Sequence, residues 1–306
     1  MLPAGAHTGR LERGIGVMNH AEVSPGEDTR DPIAIREAAV RESVESVVLT
    51  ELHGAVLVIT INRPQVRNAV DSAVAEGIGD ALEYARDDPA VQAVVVTGSN
   101  GSCFCSGGDL TAMADGRGIE PADPAKRGWG FGGICEHPID KPVVAAVNGH
   151  AIGGGAEIAM ACDLVVAVES AEFSLPEVRN GYIASGGGVV WLSRWVPRTV
   201  AMEILLLGRR FSATQAEKWG LVNRVVPDGQ ALATAIELAQ AIATNAPLAV
   251  RANKRLVAGL VDSRFVNAED DWARCHAEHQ RIHQTEDAKE GPRAFVEKRA
   301  PVWKGR

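Results

Sequence analysis

Between residues 46 and 195 the apolar positions fall in short β-branched blocks separated by amphipathic stretches. "SVVLTEL" (46–52) and "AVLVITIN" (55–62) are two such blocks joined by His53-Gly54, which predicts a hairpin. "VQAVVVTGS" (91–99), "KPVVAAVNG" (141–149) and "DLVVAVES" (163–170) read as buried strands, and "AEFSL" (171–175) as a shorter one. "SAVAEGIGDALEYARDD" (72–88) repeats its apolar residues at three and four behind Asp71, the pattern of a helix with its N-cap. Alternation of this kind predicts an α/β core.

From residue 196 onward the period becomes helical, with almost no strand signal. "TVAMEILLLGRR", "SATQAEKWGL", "GQALATAIELAQAIATN", "PLAVRANKRLVAGLV" and "NAEDDWARCHAEHQRIHQ" all read as helices. Ser212, Thr214 and Asn267 are the expected starts, Gly208 and Gly220 the expected stops. Residues 1–45 are polar, charged and without sustained period, and read as a mobile extension. The expected organisation is therefore an extension (1–45), an α/β core (46–195) and a helical region (196–306) packed on the core or on a neighbouring subunit. No repeat is visible in the sequence itself.

Composition narrows the function classes. With 306 residues, 46% apolar and 23% charged, the chain can bury a sizeable core. A net charge of -8 weighs against a general nucleic-acid binder but leaves room for a local cationic pocket. Five cysteines without framework spacing read as reduced thiols. No apolar run approaches the ~20 residues of a membrane span, and no signal-peptide core is present. The expected setting is the cytoplasm, with no membrane partner.

Two glycine-rich loops follow predicted strands: "GSCFCSGGDL" (101–110) and "NGHAIGGGAE" (148–157). Ligands of α/β sheets bind beyond the strand carboxyl ends, and glycine lets backbone approach them closely. A P-loop reading fails, because Gly155 and Ala156 stand where Lys and Ser/Thr are needed. A dinucleotide fingerprint fails on spacing as well. Two loops can instead supply one amide each to an oxyanion. Glu157 would lie in the first turn of a helix starting near Gly154–Gly155, where the dipole favours its ionised form. A first-turn glutamate also needs no function to explain it. Glu177, in "SLPEVRNGYIASGGG", is a second carboxylate near a strand end, and the two could work as base and acid around one water. His276, His279 and His283 share a helical face, which reads as solvated rather than metal-binding. His150 reads as packing, and Trp191 and Trp195 as core or subunit contact.

"NRPQVRNAVD" (62–71), "FCSGGDL" (104–110), "NGHAIGGGAEIAMACDLVVA" (148–167), "FSLPEVRNG" (173–181) and "DAKEGPRAFVEKRAPVWKGR" (287–306) resemble the enoyl-CoA hydratase/isomerase (crotonase) family. The match spans roughly residues 46–306. "LPE", "WGLVNRVV" and the C-terminal stretch are similar to its carnitinyl-CoA dehydratase branch in particular. The resemblance implies a crotonase (ClpP-like) fold, a spiral of repeated ββα units with a C-terminal helical region. It implies an oxyanion hole from the amides of Gly108 and Gly154, with Glu157 activating water for Cβ and Glu177 protonating Cα. It implies CoA contacts at Gln65, Val66, Arg67, Gly108, Leu110, Phe295 and Lys298, the last reaching phosphate from a neighbouring subunit. The substrate would be an acyl-CoA thioester, with no metal and no cofactor beyond its CoA. The assembly would be a homotrimer or a dimer of trimers. The reaction would be hydration of a 2-enoyl-CoA. Alternatives are carnitinyl-CoA dehydration, 3-enoyl to 2-enoyl isomerisation, or a non-catalytic acyl-CoA- or RNA-binding homologue. Ala184 and Ser185 depart from the Pro-Gly or Pro-Asp of the family's water-orienting loop, though an amide remains at Ser185. Residues 111–135 fit no motif and would carry the acyl specificity.

Overall fold

A computed structural model describes residues 46–306, with the side chains of Ala114 and Phe295 outside the described set. The expected extension over 1–45 lies outside the described residues.

The hairpin forms as its pattern predicts. β1 (Val48–His53) and β2 (Val56–Ile61) pair antiparallel, with Val48 opposite Ile61. Helix α1 (Ser72–Asp87) follows, capped by the Asp71 carboxylate, which accepts from the Val74 amide at 3.0 Å. Such a cap contributes about 1 kcal/mol. Val74, Ile78, Leu82 and Ala85 form its buried face. β3 (Ala93–Gly98), β5 (Val143–Val147) and β7 (Leu164–Val168) then extend the sheet in parallel. β3 and β5 are buried throughout, so their sequences are apolar without alternation.

Each of these parallel strands is followed by a short one. β4 (Cys103–Cys105), β6 (His150–Ile152) and β8 (Glu172–Ser174) lie side by side and parallel in a second sheet. A turn and a helical element come next: α2 (Leu110–Ala114), α3 (Gly154–Ala161), and a 3-10 turn at Glu177–Asn180. This is the repeated ββα unit, present in the structure although no sequence repeat announces it. Because β4, β6 and β8 are adjacent, the turns that leave their carboxyl ends converge.

The C-terminal part is mostly helical: α4 (Gly188–Trp195), α5 (Arg198–Leu207), α6 (Ala213–Trp219), α7 (Ala231–Ala243), α8 (Pro247–Ala258), α9 (Glu269–His283) and α10 (Glu286–Val296). Gly208 and Gly220 stop α5 and α6 in left-handed conformations, and Ser212 starts α6 with a full capping box. Three expectations change. Thr214 is inside α6, and α9 starts at Glu269 rather than Asn267. Four short strands interrupt the helices: β9 (Phe211–Ser212), β10 (Arg224–Val226), β11 (Leu260–Val261) and β12 (Arg264–Phe265). Two or three residues carry no readable period. The C-terminal part packs on the core: β10 pairs parallel with β7 and completes the main sheet, while α7 lies across β3, β5 and β7.

Candidate active site

The first turn after the second sheet holds Gly107 and Gly108. Gly107 adopts φ +91 and packs on the Gly153–Gly154 peptide so closely that an added Cβ would stand 3.1 Å from the Gly154 nitrogen. Val70 donates to the Gly107 carbonyl and accepts from the Asp109 amide, which leaves the intervening Gly108 amide unused. Gly154 is the first residue of α3, so its amide has no partner in the helix. Among the described residues neither amide donates to a protein acceptor. The structure thus brings the two expected oxyanion donors into neighbouring turns.

Glu157 sits in the first turn of α3 and is 4% exposed. The Gly188 amide donates to its Oε1 at 2.9 Å. A Cβ added at Gly186 would lie 2.6 Å from its Oε2, so a side chain there would displace the carboxyl. The dipole was expected to favour an ionised side chain. Burial, then the charge of Glu177, outweighs the dipole and the Gly188 and Gly186 amides, and the carboxyl is pushed up to about 8.

Glu177 opens the 3-10 turn that follows β8. Burial pushes its carboxyl up to about 7. Its Oε1 faces Gly153, and its Oε2 is buried with no hydrogen-bond partner among the described residues. Two buried carboxyls, one raised further by the charge of the other, hold a single proton between them near neutral pH, and the titration belongs to the pair. One is then an acid while the other is a base.

Gln65 and Val66 lie in an exposed 3-10 turn (Pro64–Val66) capped by Arg67 and docked on the first site loop, where the Ser106 amide donates to the Arg67 carbonyl at 3.1 Å. Leu110, also exposed, starts α2 beside it. The two segments expected to contact CoA therefore both flank the first site loop. Lys298 is exposed beyond α10 with φ +52. Phe295 lies in α10, its side chain outside the described residues.

Several residues at the site were not read correctly, or at all, from the sequence. The unmatched segment supplies Phe131, whose ring lies where any side chain on Gly154 would have to go. Gly130, Gly132 and Gly133, all at positive φ, thread this strap past Glu136, Ile158 and Ala75. The Ser185 amide is not free for water, because it donates to the Ile183 carbonyl at 2.8 Å. The histidine face of α9 is not simply solvated. His276 pairs with Glu136 at 3.1 Å, the His279 Nδ1 lies 2.8 Å from the Ser185 hydroxyl, and His283 packs on the Tyr182 ring. Their shared spacing was the only signal, and it did not reveal which loop they meet. His150 serves packing, its Nδ1 accepting from the Glu172 amide. All five cysteines are buried free thiols. Among the described residues no group of three metal-ligating side chains and no helix long and apolar enough to cross a membrane occurs.

Comparison with known proteins agrees with this geometry. The family model described as enoyl-CoA hydratase/isomerase matches residues 51–306. A carnitinyl-CoA dehydratase from Salmonella typhi is 40% identical over 267 residues, covering 86% of this chain and 99% of that protein. The crystal structure of a carnitinyl-CoA hydratase from Mycobacterium avium is 49% identical, with a TM-score of 0.83 and coverage of 86% and 100%. An enoyl-CoA hydratase structure from Mycobacterium tuberculosis is 39% identical, with a TM-score of 0.66 over 86% and 100%. The chain is an enzyme of hydro-lyase type with a crotonase fold, and it belongs to the enoyl-CoA hydratase/isomerase family.

Proposed function

We propose that the protein catalyses reversible addition of water across the Cα=Cβ bond of a 2-enoyl-CoA thioester. The observation that carries this reading is the pair of buried, raised carboxyls, Glu157 and Glu177, beside two backbone amides that, among the described residues, donate to no protein acceptor. The thioester oxygen takes the Gly108 and Gly154 amides, which stabilise the enolate as charge develops. With the shared proton on Glu177, one of the two arrangements open to the coupled pair, the Glu157 carboxylate accepts a proton from water as the water oxygen bonds to Cβ, and Glu177 gives its proton to Cα. Transfer of the captured proton back to Glu177 resets the pair. An isomerase needs only one such glutamate, so the retained pair favours hydration. The chemistry calls for no metal or redox group. Gln65, Val66, Arg67, Leu110 and Phe295 would lie along CoA. Lys298 would meet its phosphate across a subunit boundary in a trimer or dimer of trimers, in the cytoplasm.

A narrower reading is supported by the names of the relatives above: the acyl group is crotonobetainyl, and the enzyme interconverts crotonobetainyl-CoA and carnitinyl-CoA. Loss of enoyl-thioester ultraviolet absorbance separates the two when purified protein is given crotonyl-CoA, longer 2-enoyl-CoAs and crotonobetainyl-CoA. Rapid loss with at least one substrate, abolished by Glu177→Gln, is expected. Silence across the panel with CoA thioesters still bound would overturn the hydratase reading.

A further inference from the structure

The loop from Ile183 to Gly188 supplies the backbone that faces the Glu157 carboxylate, and it is tied to a helix nearly a hundred residues away. Ser185 meets α9 twice: its hydroxyl lies 2.8 Å from His279 Nδ1, and its carbonyl accepts from the Cys275 thiol at 3.7 Å. Cys275 and His279 are four residues apart, so both project from one face of α9. The helix is itself fixed over the loop. Trp272 is buried against Trp191, Arg194 pairs with Asp271, and His276 holds Glu136. Immediately after Ser185 come Gly186 and Gly188, the two residues whose backbone meets the carboxylate.

We propose that Ser185 and His279 are positioning residues, joining α9 to the 185–188 loop so that its amides hold the Glu157 carboxyl in register. Neither side chain touches Glu157, and the effect passes through the glycine backbone. A hydroxyl–imidazole bond suits the task because His279 stays neutral. Burial, then His283 and His276, pulls its titration down to about 4, so the bond keeps one form across the working range. The groups facing Glu157 itself are Glu177, Cys135 and Cys275, and Glu136 acts on the same two thiols. Both thiols are pushed up by burial and stay uncharged.

The test follows the Glu157 carboxyl by 13C NMR of glutamate-labelled full-length protein, assigned with Glu157→Gln, alongside kcat and KM. Amide donors favour the ionised form, so a loosened loop raises the titration. Ser185→Ala and His279→Ala should each move it upward by about one pH unit. Each should lower kcat by about 10- to 100-fold with KM nearly unchanged. His279→Asn keeps a polar group near the Nδ1 position and should recover most of both losses. The double variant should be no worse than either single, as one shared interaction requires. An unmoved titration in both single variants, or additive losses in the double, would overturn the proposal. The turnover readout rests on the hydration reading, but the titration does not. Absent wild-type turnover would therefore count against that reading while the titration still decides on the pair.

Discussion

Glu157 and Glu177 leave corresponding turns of successive ββα units, one after β6 and the other after β8, yet the chain supports them from different directions. Glu157 is enclosed: α3 carries it, the Gly186–Gly188 backbone meets both oxygens, and it is 4% exposed. Glu177 rides a 3-10 turn with one oxygen unpartnered, and that turn is pressed into place from outside. Gly181 and Gly291 let α10 lie backbone to backbone against it, at Asp287 and Asn180. A repeated fold thus yields two unequal carboxyls. The pinned one has a fixed geometry, while the open one has capacity left for a substrate or water. Two jobs in one reaction need this inequality.

Charge-removing substitutions test that inequality with the largest effect. Glu157→Gln and Glu177→Gln should each lower kcat by about 10²–10⁴-fold while leaving CoA-thioester binding nearly intact, since general acid–base groups contribute on that scale. Stopped-flow absorbance with the best enoyl-CoA measures it. Near-normal turnover in both would dissolve the two-carboxyl mechanism.

The pH dependence separates the pair by energy. Wild-type activity should be bell-shaped, highest where the pair holds one proton, with limbs near the steps at about 7 and about 8. Stability carries a sign that can be checked. A carboxyl raised above its ordinary 4.5 binds more protons folded than unfolded, so stability falls as pH climbs from about 4.5 to about 8. Glu157→Gln should therefore match the wild type at pH 5 and exceed it above pH 8, by an amount on the order of a few kcal/mol. Denaturant melts at the two pH values decide it. The same substitution at Glu177, less enclosed, should give a smaller gain.

How far this contrast was legible in the sequence depends on the distance over which each feature is built. The hairpin, α1 behind Asp71, the capping box at Ser212 and the stops at Gly208 and Gly220 are local, and their residues announced them. The short strands β4 and β6 have three residues each, too few to show a period, so the unit that brings the glycine loops together was visible only by family resemblance. Glu157 could be singled out because a charge in an apolar run is conspicuous. Its raised titration could not, because burial depends on Phe131, Gly186 and α9, none of them neighbours in sequence. The histidine face of α9 had the right spacing, and its reading as solvated holds for exposed His276 and His283 but misses the partner of His279 for the same reason. His279 meets Ser185 across 94 positions and His276 meets Glu136 across 140, and spacing within a helix does not say what the helix faces.

If α10 holds the Glu177 turn, a methyl group at their contact should disturb one carboxyl and spare the other. A Cβ on Gly291 would run into the Asn180 carbonyl, which is backbone and cannot swing aside. Gly291→Ala should lower kcat by about tenfold through displaced Glu177, an effect within the range that small misplacements produce. The Glu157 carbon signal should keep its titration apart from the weaker charge coupling. A Glu157 shift as large as that expected of Ser185→Ala would mean that α9 and α10 move as one body and the contrast is false.

The smallest effect asks whether the C-terminal region does more than brace Glu177. Lys298 follows α10 in a left-handed conformation as an exposed cation. The family resemblance pairs it with a CoA phosphate on a neighbouring subunit, and the acidic chain, at -8 overall, has no general attraction for such a ligand. An exposed ammonium–phosphate contact contributes on the order of 1 kcal/mol and is screened by salt. Lys298→Ala should then raise KM for a CoA thioester about threefold to tenfold at low ionic strength, with kcat unchanged and the difference shrinking as salt is added. A pantetheine thioester lacking the nucleotide should show no difference between the two proteins. If KM does not change for either substrate, Lys298 is a solvated charge, and the work of the C-terminal helices ends at positioning the two glutamates.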